Sequence, residues 1–355
     1  MTAFDKERSK AFLQTMTGIM NGGALALMCS VGHKTGLFDT MSGIDPATPA
    51  EIAETADLHE RYVREWLSAM TAGGIVDHDP EAGTFHLPPE HAGLLTRAAG
   101  PLNLTTYCQY VSLLGEVEDE VVEAFRSGGG VPYDRFPRFQ TLMAESSGQR
   151  LATALLAEIV PLLPDGGEGL RAGIDVADVG CGSGRALNML AAEFPASRFH
   201  GYDIAESALE RARDDAEAKG STNISFVARD AAVLDEHERF DLITTFDAVH
   251  DQARPAEMLA GIHAALRPGG LYLCVEPKAS SHLHENLEMP TAAMMYTIST
   301  MHCMTVSMAY GGPGLGTAWG EQLAVEMLTG AGFDDVSVTG IRSDRANHYL
   351  LATRR

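Results

Sequence analysis

Apolar residues recur at helical spacing through residues 11–40. Leu13, Met16, Met20, Leu27, Val31 and Leu37 form the series, with Gly22, Gly23, Ala24 and Ala26 between them. Small residues admit close helix packing, so this segment is either core or the seam of a dimer. The next stretch reads TPAEIAETADLHERYVREWLSAMTAGGIV. Thr48 is a good N-cap, Pro49 suits the first helical position and Glu51 completes a capping box. Residues 53–57 read as a turn. A second helix follows with Val63, Trp66, Leu67 and Met70 inward, and Gly73-Gly74 ends it. Ile75-Val76, a DPEAG turn, and Phe85 with Leu87 then read as a hairpin. Two helices, a turn and a hairpin make a winged helix over residues 1–100. Residues 101–165 read as a helical connector, broken at SGGGVPYDRFPRF.

From about residue 166 the pattern changes. Short apolar runs (IDVADVG, RFHGYDI, NISFVARD, FDLITTFD, LYLCVEP) alternate with amphipathic stretches such as RALNMLAAEF, ESALERARDDAEAKG and RPAEMLAGIHAAL. This alternation predicts a parallel sheet with helices on both faces. Residues 278–317 read as a long irregular insertion. A helix, AWGEQLAVEMLTGAG, and two runs, VSVTGI and HYLLAT, then close the sheet as a final pair of strands.

Bulk properties narrow the function. The chain has 355 residues, 45% of them apolar, which is enough for about two domains. Its net charge of −22 opposes binding to phosphate backbones and anionic lipid. Within positions 1–100, seven basic and thirteen acidic residues leave −6, and the second helix of the winged helix carries Glu60 and Glu65 beside its arginines. Five cysteines without a C-x-x-C pair indicate neither a disulfide framework nor a zinc site. The N-terminus has no apolar signal region, and the longest early apolar run is too short to span a bilayer. The expectation is a soluble cytoplasmic protein that takes a small molecule and no nucleic acid or membrane, with no bound metal.

The chemistry begins at ADVGCGSGRALNML. Asp178-x-Gly180-x-Gly182-x-Gly184 lies between a strand and a helix, the context in which glycines let a backbone approach a ligand. A dinucleotide loop has G-x-G-x-x-G. Here the third glycine comes one residue early, and an acid precedes the first, which suits a ligand with a cationic amino end. Asp203 ends the next strand, where a carboxylate can accept from both ribose hydroxyls. Asp230, followed by Ala231, ends the third strand, where a carboxylate can accept from an adenine amino group. Three acids at three successive strand ends describe one crevice at the carboxyl edge of the sheet.

ADVGCGSG, HGYD, RDAA, TTFDAVHD and LRPGG, in this order, resemble the class I S-adenosylmethionine-dependent methyltransferases, over residues 173–276 and with a tail that fits. The whole chain resembles a bacterial subgroup with an N-terminal winged helix and, more distantly, the small-molecule O-methyltransferases whose N-terminal winged helix dimerises and covers the acceptor site. The resemblance implies an α/β fold with a Rossmann-like sheet, parallel apart from a final antiparallel strand, and S-adenosyl-L-methionine as cofactor. It places Gly180 and Gly182 along the amino-acid moiety, Asp203 on the ribose and Asp230 at the adenine. Ile204 and Ala231 would flank the ring, and Phe246 would line the site beside the sulfonium. It also implies a homodimer.

Methyl transfer from a sulfonium is an in-line displacement, which needs the nucleophile within about 3–3.5 Å of the methyl carbon. A hydroxyl acceptor needs a base, whereas a thiol needs less help. His250, in FDAVHDQ, is the candidate base, with site lining as the other reading. The His250-Asp251 pair matches the O-methyltransferase pattern, but Gln252 stands where that family usually has tryptophan. Residues 278–317 are expected to form the acceptor pocket and lid, with Tyr296, His302 and Cys303 as candidate acceptor contacts. Met294, Met295, Met301, Met304 and Met308 recur there at near-helical spacing, as a flexible core face would. The function expected is transfer of a methyl group to a hydroxyl or thiol of a small molecule. The alternative is a regulator that binds the same cofactor and uses the winged helix on DNA.

Overall fold

In the computed structural model, which describes residues 4–355, the chain divides into two compact units, Met1–Glu116 and Val117–Arg355. The stretch read as a 101–165 connector is therefore shared between them. The first unit takes it through Glu116 and the second from Val117.

The first unit holds α1 (Lys6–Thr35), α2 (Leu37–Ser42), α3 (Pro49–Thr55), α4 (Glu60–Ala72), β1 (Asp77–Asp79), β2 (Thr84–His86), α5 (Pro89–Leu95) and α6 (Thr105–Gly115). The single helix expected over 11–40 breaks at Gly36, whose φ of 75° caps α1 in the left-handed region. The capping box of α3 is formed: Thr48 N–H donates to the Glu51 carboxylate at 2.8 Å. Phe38, Ile52, Val63, Trp66, Leu67 and Met70 pack into one core. Trp66 Nε1 donates to the Met28 carbonyl at 2.8 Å, tying α4 to α1. Gly32 permits that approach, since a Cβ there would lie 2.5 Å from the Trp66 ring. β1 and β2 pair antiparallel as the wing. The N-terminal half of α1 contributes nothing to this core: Phe12, Leu13, Ile19 and Met20 are each about 60% exposed or more.

The second unit begins with α7 (Glu118–Ser127), α8 (Phe139–Ala154) and α9 (Glu168–Ala172). Strands and helices then alternate through β3 (Asp175–Val179), α10 (Arg185–Glu193), β4 (Arg198–Asp203), α11 (Glu206–Ala218), β5 (Ile224–Ala228), β6 (Phe240–Phe246), α12 (Pro255–Ala265) and β7 (Leu266–Pro277). The sheet order is β5-β4-β3-β6-β7-β9-β8, with β8 (Asp334–Thr339) and β9 (Asn347–Thr353) last in the chain. β5, β4, β3, β6 and β7 run parallel, and β9 lies antiparallel between β7 and β8. One core cluster covers a face with Leu187, Leu190, Phe199, Leu209 and Leu273. A second covers the other with Met258, Ile262, Tyr272, Leu328 and Phe333. Every residue of β3 is buried, as a central parallel strand requires. The strand order reverses between β3 and β6, so a crevice opens beyond their carboxyl ends.

The reading of 278–317 as irregular is corrected. This segment forms α13 (Leu283–Asn286), α14 (Ala292–Ile298), a π-helical turn (Ser299–Cys303) and α15 (Met304–Ala309) before α16 (Gly320–Gly330). No glycine or proline interrupts residues 291–309, so the methionine spacing was a helix signal.

Candidate active site

The crevice is built from strand ends. β3 delivers Asp178, which is buried and accepts a hydrogen bond from Thr244 Oγ1 of β6 at 2.8 Å. Gly180, Gly182 and Gly184 follow with φ of 76°, 52° and 67°, a run that side chains rarely adopt. The turn is fixed by Gly180 N–H and Cys181 N–H, which both donate to the Tyr202 carbonyl, at 2.8 and 3.0 Å. A Cβ at Gly184 would meet the Phe226 ring at 2.5 Å, whereas the space over Gly182 is open. Asp203, at the end of β4, accepts from the N–H groups of Gly182 and Ala205, each at 2.8 Å. Ile204 beside it is 76% exposed, an apolar side chain standing over the crevice. Burial pushes the Asp178 carboxyl up to about 7, against its bond from Thr244, and the charge of Asp203 adds to the rise. Burial raises Asp203 as well, although three backbone N–H bonds work against it.

Asp230 is differently placed from Asp178 and Asp203. It caps a short 3₁₀ turn, Ala231–Val233, by accepting from Ala232 N–H at 2.8 Å, and its other oxygen is paired with Arg254 at 2.6 Å. Ala231 is buried in the turn. Phe246 ends β6 and packs partly against the core.

A second set of side chains gathers past β6 and β7. Asp247 turns the chain with φ of 54°, and its carboxylate is held by Arg150 of α8 at 2.6 Å. His250 follows, 5% exposed, with Nδ1 on the Glu276 carboxylate at 2.6 Å. The other oxygen of Glu276 accepts from Val249 N–H at 2.8 Å and Ala248 N–H at 3.2 Å. Gly316 N–H donates to the His250 carbonyl at 3.0 Å, and the next residue, Thr317, brings Cys303 within electrostatic reach of His250. Thr317 Oγ1 donates to Cys303 Sγ at 3.1 Å. Burial alone would lower the basicity of His250, but Glu276 and Cys303 outweigh it and raise it well above the ordinary histidine range. Asp251 next to it is pushed up to about 6 by burial, with His250, Glu276 and Asp203 all within electrostatic reach.

The two sets adjoin. A Cβ at Gly180 would lie 2.7 Å from the Ala248 Cβ, so the glycine turn rests directly on the loop that carries His250. Of the candidate acceptor contacts, Cys303 meets His250, and His302 is fully buried near it, stacked on Phe139 with ring centroids 3.5 Å apart. Tyr296 goes elsewhere: its hydroxyl accepts from Asn286 Nδ2 at 2.9 Å. Sequence reasoning missed Glu276, Thr317 and the Arg150–Asp247 pair. Glu276 had a usable signal, an acid ending an apolar strand at the same sheet edge that yielded Asp203.

The Glu276–His250 pair makes a direct prediction. Glu276→Gln keeps the volume but removes the charge from a buried pair, and is expected to destabilise the protein by about 3 kcal/mol. Calorimetry reads that loss. NMR of the His250 ring should show its protonation midpoint moving down, and an unmoved midpoint would remove Glu276 as the partner.

Comparison with known proteins agrees with both units. Residues 23–97 match the family model described as an Rv2258c-like winged HTH domain, and residues 170–332 the one described as a methyltransferase domain. A ubiquinone biosynthesis O-methyltransferase of Coxiella burnetii is 32% identical over 99 residues, 28% of this chain and 41% of that protein. The chain thus spans about two-fifths of the length of that curated relative. A putative O-methyltransferase of Nostoc punctiforme PCC 73102 superposes with a TM-score of 0.75 at 17% identity, covering 96% of this chain and 98% of that one. The mitomycin 7-O-methyltransferase MmcR superposes at 0.73 and 16% identity, covering 98% and 100%. At such identities the structural likeness establishes the fold. The family models add a winged helix-turn-helix domain over residues 23–97 and a methyltransferase domain over residues 170–332.

Proposed function

We propose that the protein transfers a methyl group from S-adenosylmethionine to a hydroxyl of a small molecule, with His250 as general base. The observation that carries the reading is the contact between the glycine turn and the His250 loop, which brings a cofactor crevice and an imidazole–carboxylate pair together. The residues fit the cofactor. The space over Gly182 is open, and Ile204 offers an exposed apolar face for a base ring. Asp178 is a buried carboxyl without a cation. Asp178, Gly180 and Gly182 would hold the amino-acid end, Asp203 the ribose, and Ile204 with Ala231 the adenine, with Phe246 lining the site. Asp230 has a weaker claim at the adenine, since Arg254 already holds one of its oxygens. When bound, the cofactor supplies an electrophilic methyl group. In its neutral form His250 takes the acceptor proton at Nε2; Glu276 orients the ring and stabilises the imidazolium that results. His302 and Cys303 line the acceptor side. The curated O-methyltransferase relatives favour oxygen over sulfur as acceptor atom.

The DNA-binding alternative has an observation against it. The arginines of α4 are already paired on their own helix: Arg64 with Glu60 at 2.6 Å, and Arg61 with Glu65. Among the described residues no helix is long and apolar enough to cross a membrane. For the exposed stripe of α1 we propose a second copy of the chain as the occupant. Gly18 and Gly22 on that helix leave open space for close approach.

S-adenosylhomocysteine formation by purified protein with pooled phenols, hydroxy acids, thiols and amines tests the reaction. Product is expected with hydroxyl acceptors and should fall at least a hundredfold in His250→Ala. Asp203→Ala with unchanged cofactor affinity would sink the crevice assignment. Tight cofactor binding with no product from any pool would turn attention to the regulator.

Asp178 gives a pH signature. Its folded-state value lies above the ordinary carboxyl value, so its contribution to stability is present at low pH and is lost as pH rises through about 7. A cationic amino group reverses that shift. Cofactor binding near pH 6 should therefore release a proton, read by titration calorimetry in buffers of different ionisation enthalpy. Asp178→Asn should abolish the release and weaken binding about tenfold; release that persists in the variant would assign it elsewhere.

Paired charges at Met16 and Ile19, as Met16→Glu with Ile19→Glu, should dissociate the dimer in sedimentation equilibrium. A wild-type protein that sediments as a monomer would end that proposal.

A further inference from the structure

His250, Glu276 and Cys303 form a chain that the transfer reaction does not require. A carboxylate orients an imidazole, and a thiol lies beside it, since Gly316 N–H donates to the His250 carbonyl at 3.0 Å while the next residue, Thr317, bonds Cys303; such an arrangement can activate a cysteine nucleophile. Thr317 donates a hydrogen bond to the same sulfur at 3.1 Å. Cys303 lies on a π-helical turn, and such turns are frequent at functional sites. Independently, the neighbouring His302 is fully buried, and among the described residues neither of its ring nitrogens has a hydrogen-bond partner. Leaving both unmet costs about 1–3 kcal/mol each, and a ligand entering beside Cys303 offsets that cost. His302 lies close enough to His250 for the charge of His250 to add to the burial that pushes it down to about 3. The His250 loop touches the glycine turn through Ala248 and Gly180, so the group around His250 adjoins the cofactor crevice.

We propose that Cys303 is itself a methyl acceptor, modified by S-adenosylmethionine in a single turnover when no small-molecule acceptor fills the site. This rests on the cofactor reading above. The sulfur of Cys303 forms the new bond to the methyl carbon. The bond from that carbon to the sulfonium breaks, and its electron pair stays on the departing S-adenosylhomocysteine. The thiol proton passes to His250 Nε2, where Glu276 stabilises it. The product is a thioether, which has no proton left to give His250. Burial raises the thiols of Cys181 and Cys274; His250 acts on Cys274 only through its charge, and the hydrogen-bond partners of that thiol are Tyr272 and Thr245.

The test is peptide mass mapping of the full chain after incubation with S-adenosylmethionine, with cofactor binding measured in parallel by calorimetry. One added CH₂ on the peptide containing Cys303, and none on those with Cys29, Cys108, Cys181 or Cys274, is the expected result. Protein that binds the cofactor but stays unmodified overturns the inference and leaves the cofactor reading intact. Protein that binds no cofactor overturns that reading first. A cofactor-free arm tests the relay alone: iodomethane should methylate Cys303 at least tenfold faster in the wild type than in His250→Asn or Glu276→Gln. Equal rates in all three proteins would show that the imidazole does not activate the sulfur.

Discussion

The Glu276 carboxylate is the constraint on which the site depends. It ends β7 inside the protein, 1% exposed, and so must be fully bonded. One oxygen takes two backbone N–H groups and the other takes the His250 ring. Both sets of bonds fall on one loop, so a single buried charge fixes the backbone at Ala248 and the tautomer at His250. Nδ1 carries the proton toward Glu276, which leaves Nε2 as the basic nitrogen of the neutral ring. Ala248 in turn sets how closely the glycine turn can lie. Position, protonation and cofactor cradle thus share one anchor. The left-handed Asp247 that starts the loop is held on the opposite side by Arg150, whose other neighbour is Asp344.

The crevice carries an electrostatic cost of its own. Asp178 and Asp251 are both raised by burial, and each feels Asp203. For Asp178 the rise to about 7 corresponds to about 4 kcal/mol between its charged and neutral forms. The bonds from Thr244, Gly182 and Ala205 offset only part of the cost to Asp178 and Asp203. A cationic ligand group would complete the balance at Asp178, the place proposed for the amino-acid end of the cofactor. A structural turn gains nothing from acids at these strand ends.

Much of this was legible in the chain because its causes are local. The strand–glycine–helix unit, the capping box at Thr48 and the acids at strand ends are each written within a few residues. Asp203 lies where that reading put it, bonded to the glycine turn. Asp230 was read by the same rule, yet its carboxylate is shared with Arg254 from a distant segment, which no local pattern reveals. The pairing of Cys303 with His250 and of Arg150 with Asp247 likewise depends on tertiary packing across tens of residues. The insertion was misread for another reason. Its methionines were weighed as core filler, while the absence of glycine and proline from 291–309, the stronger helix signal, was not used. The final strand pair was legible as strands, but the placement of β9 between β7 and β8 needs the sheet.

The first unit shows why a fold does not carry a function with it. Its core is specified in detail: Gly32 makes room for Trp66, and Trp66 spends its indole N–H on the Met28 carbonyl. The surface that a DNA-binding winged helix presents is chemically different here. On α4 each arginine has a glutamate one turn away, so the helix face carries no net positive charge to release counterions from a phosphate backbone. The wing adds Asp77 and Asp79, both exposed. What this unit leaves open instead is apolar, the Phe12, Leu13, Met16, Ile19 and Met20 side chains of α1. A helix of thirty residues whose first half touches no core is stable only if something covers it, and its apolar, small-residue surface selects another protein surface over a nucleic acid.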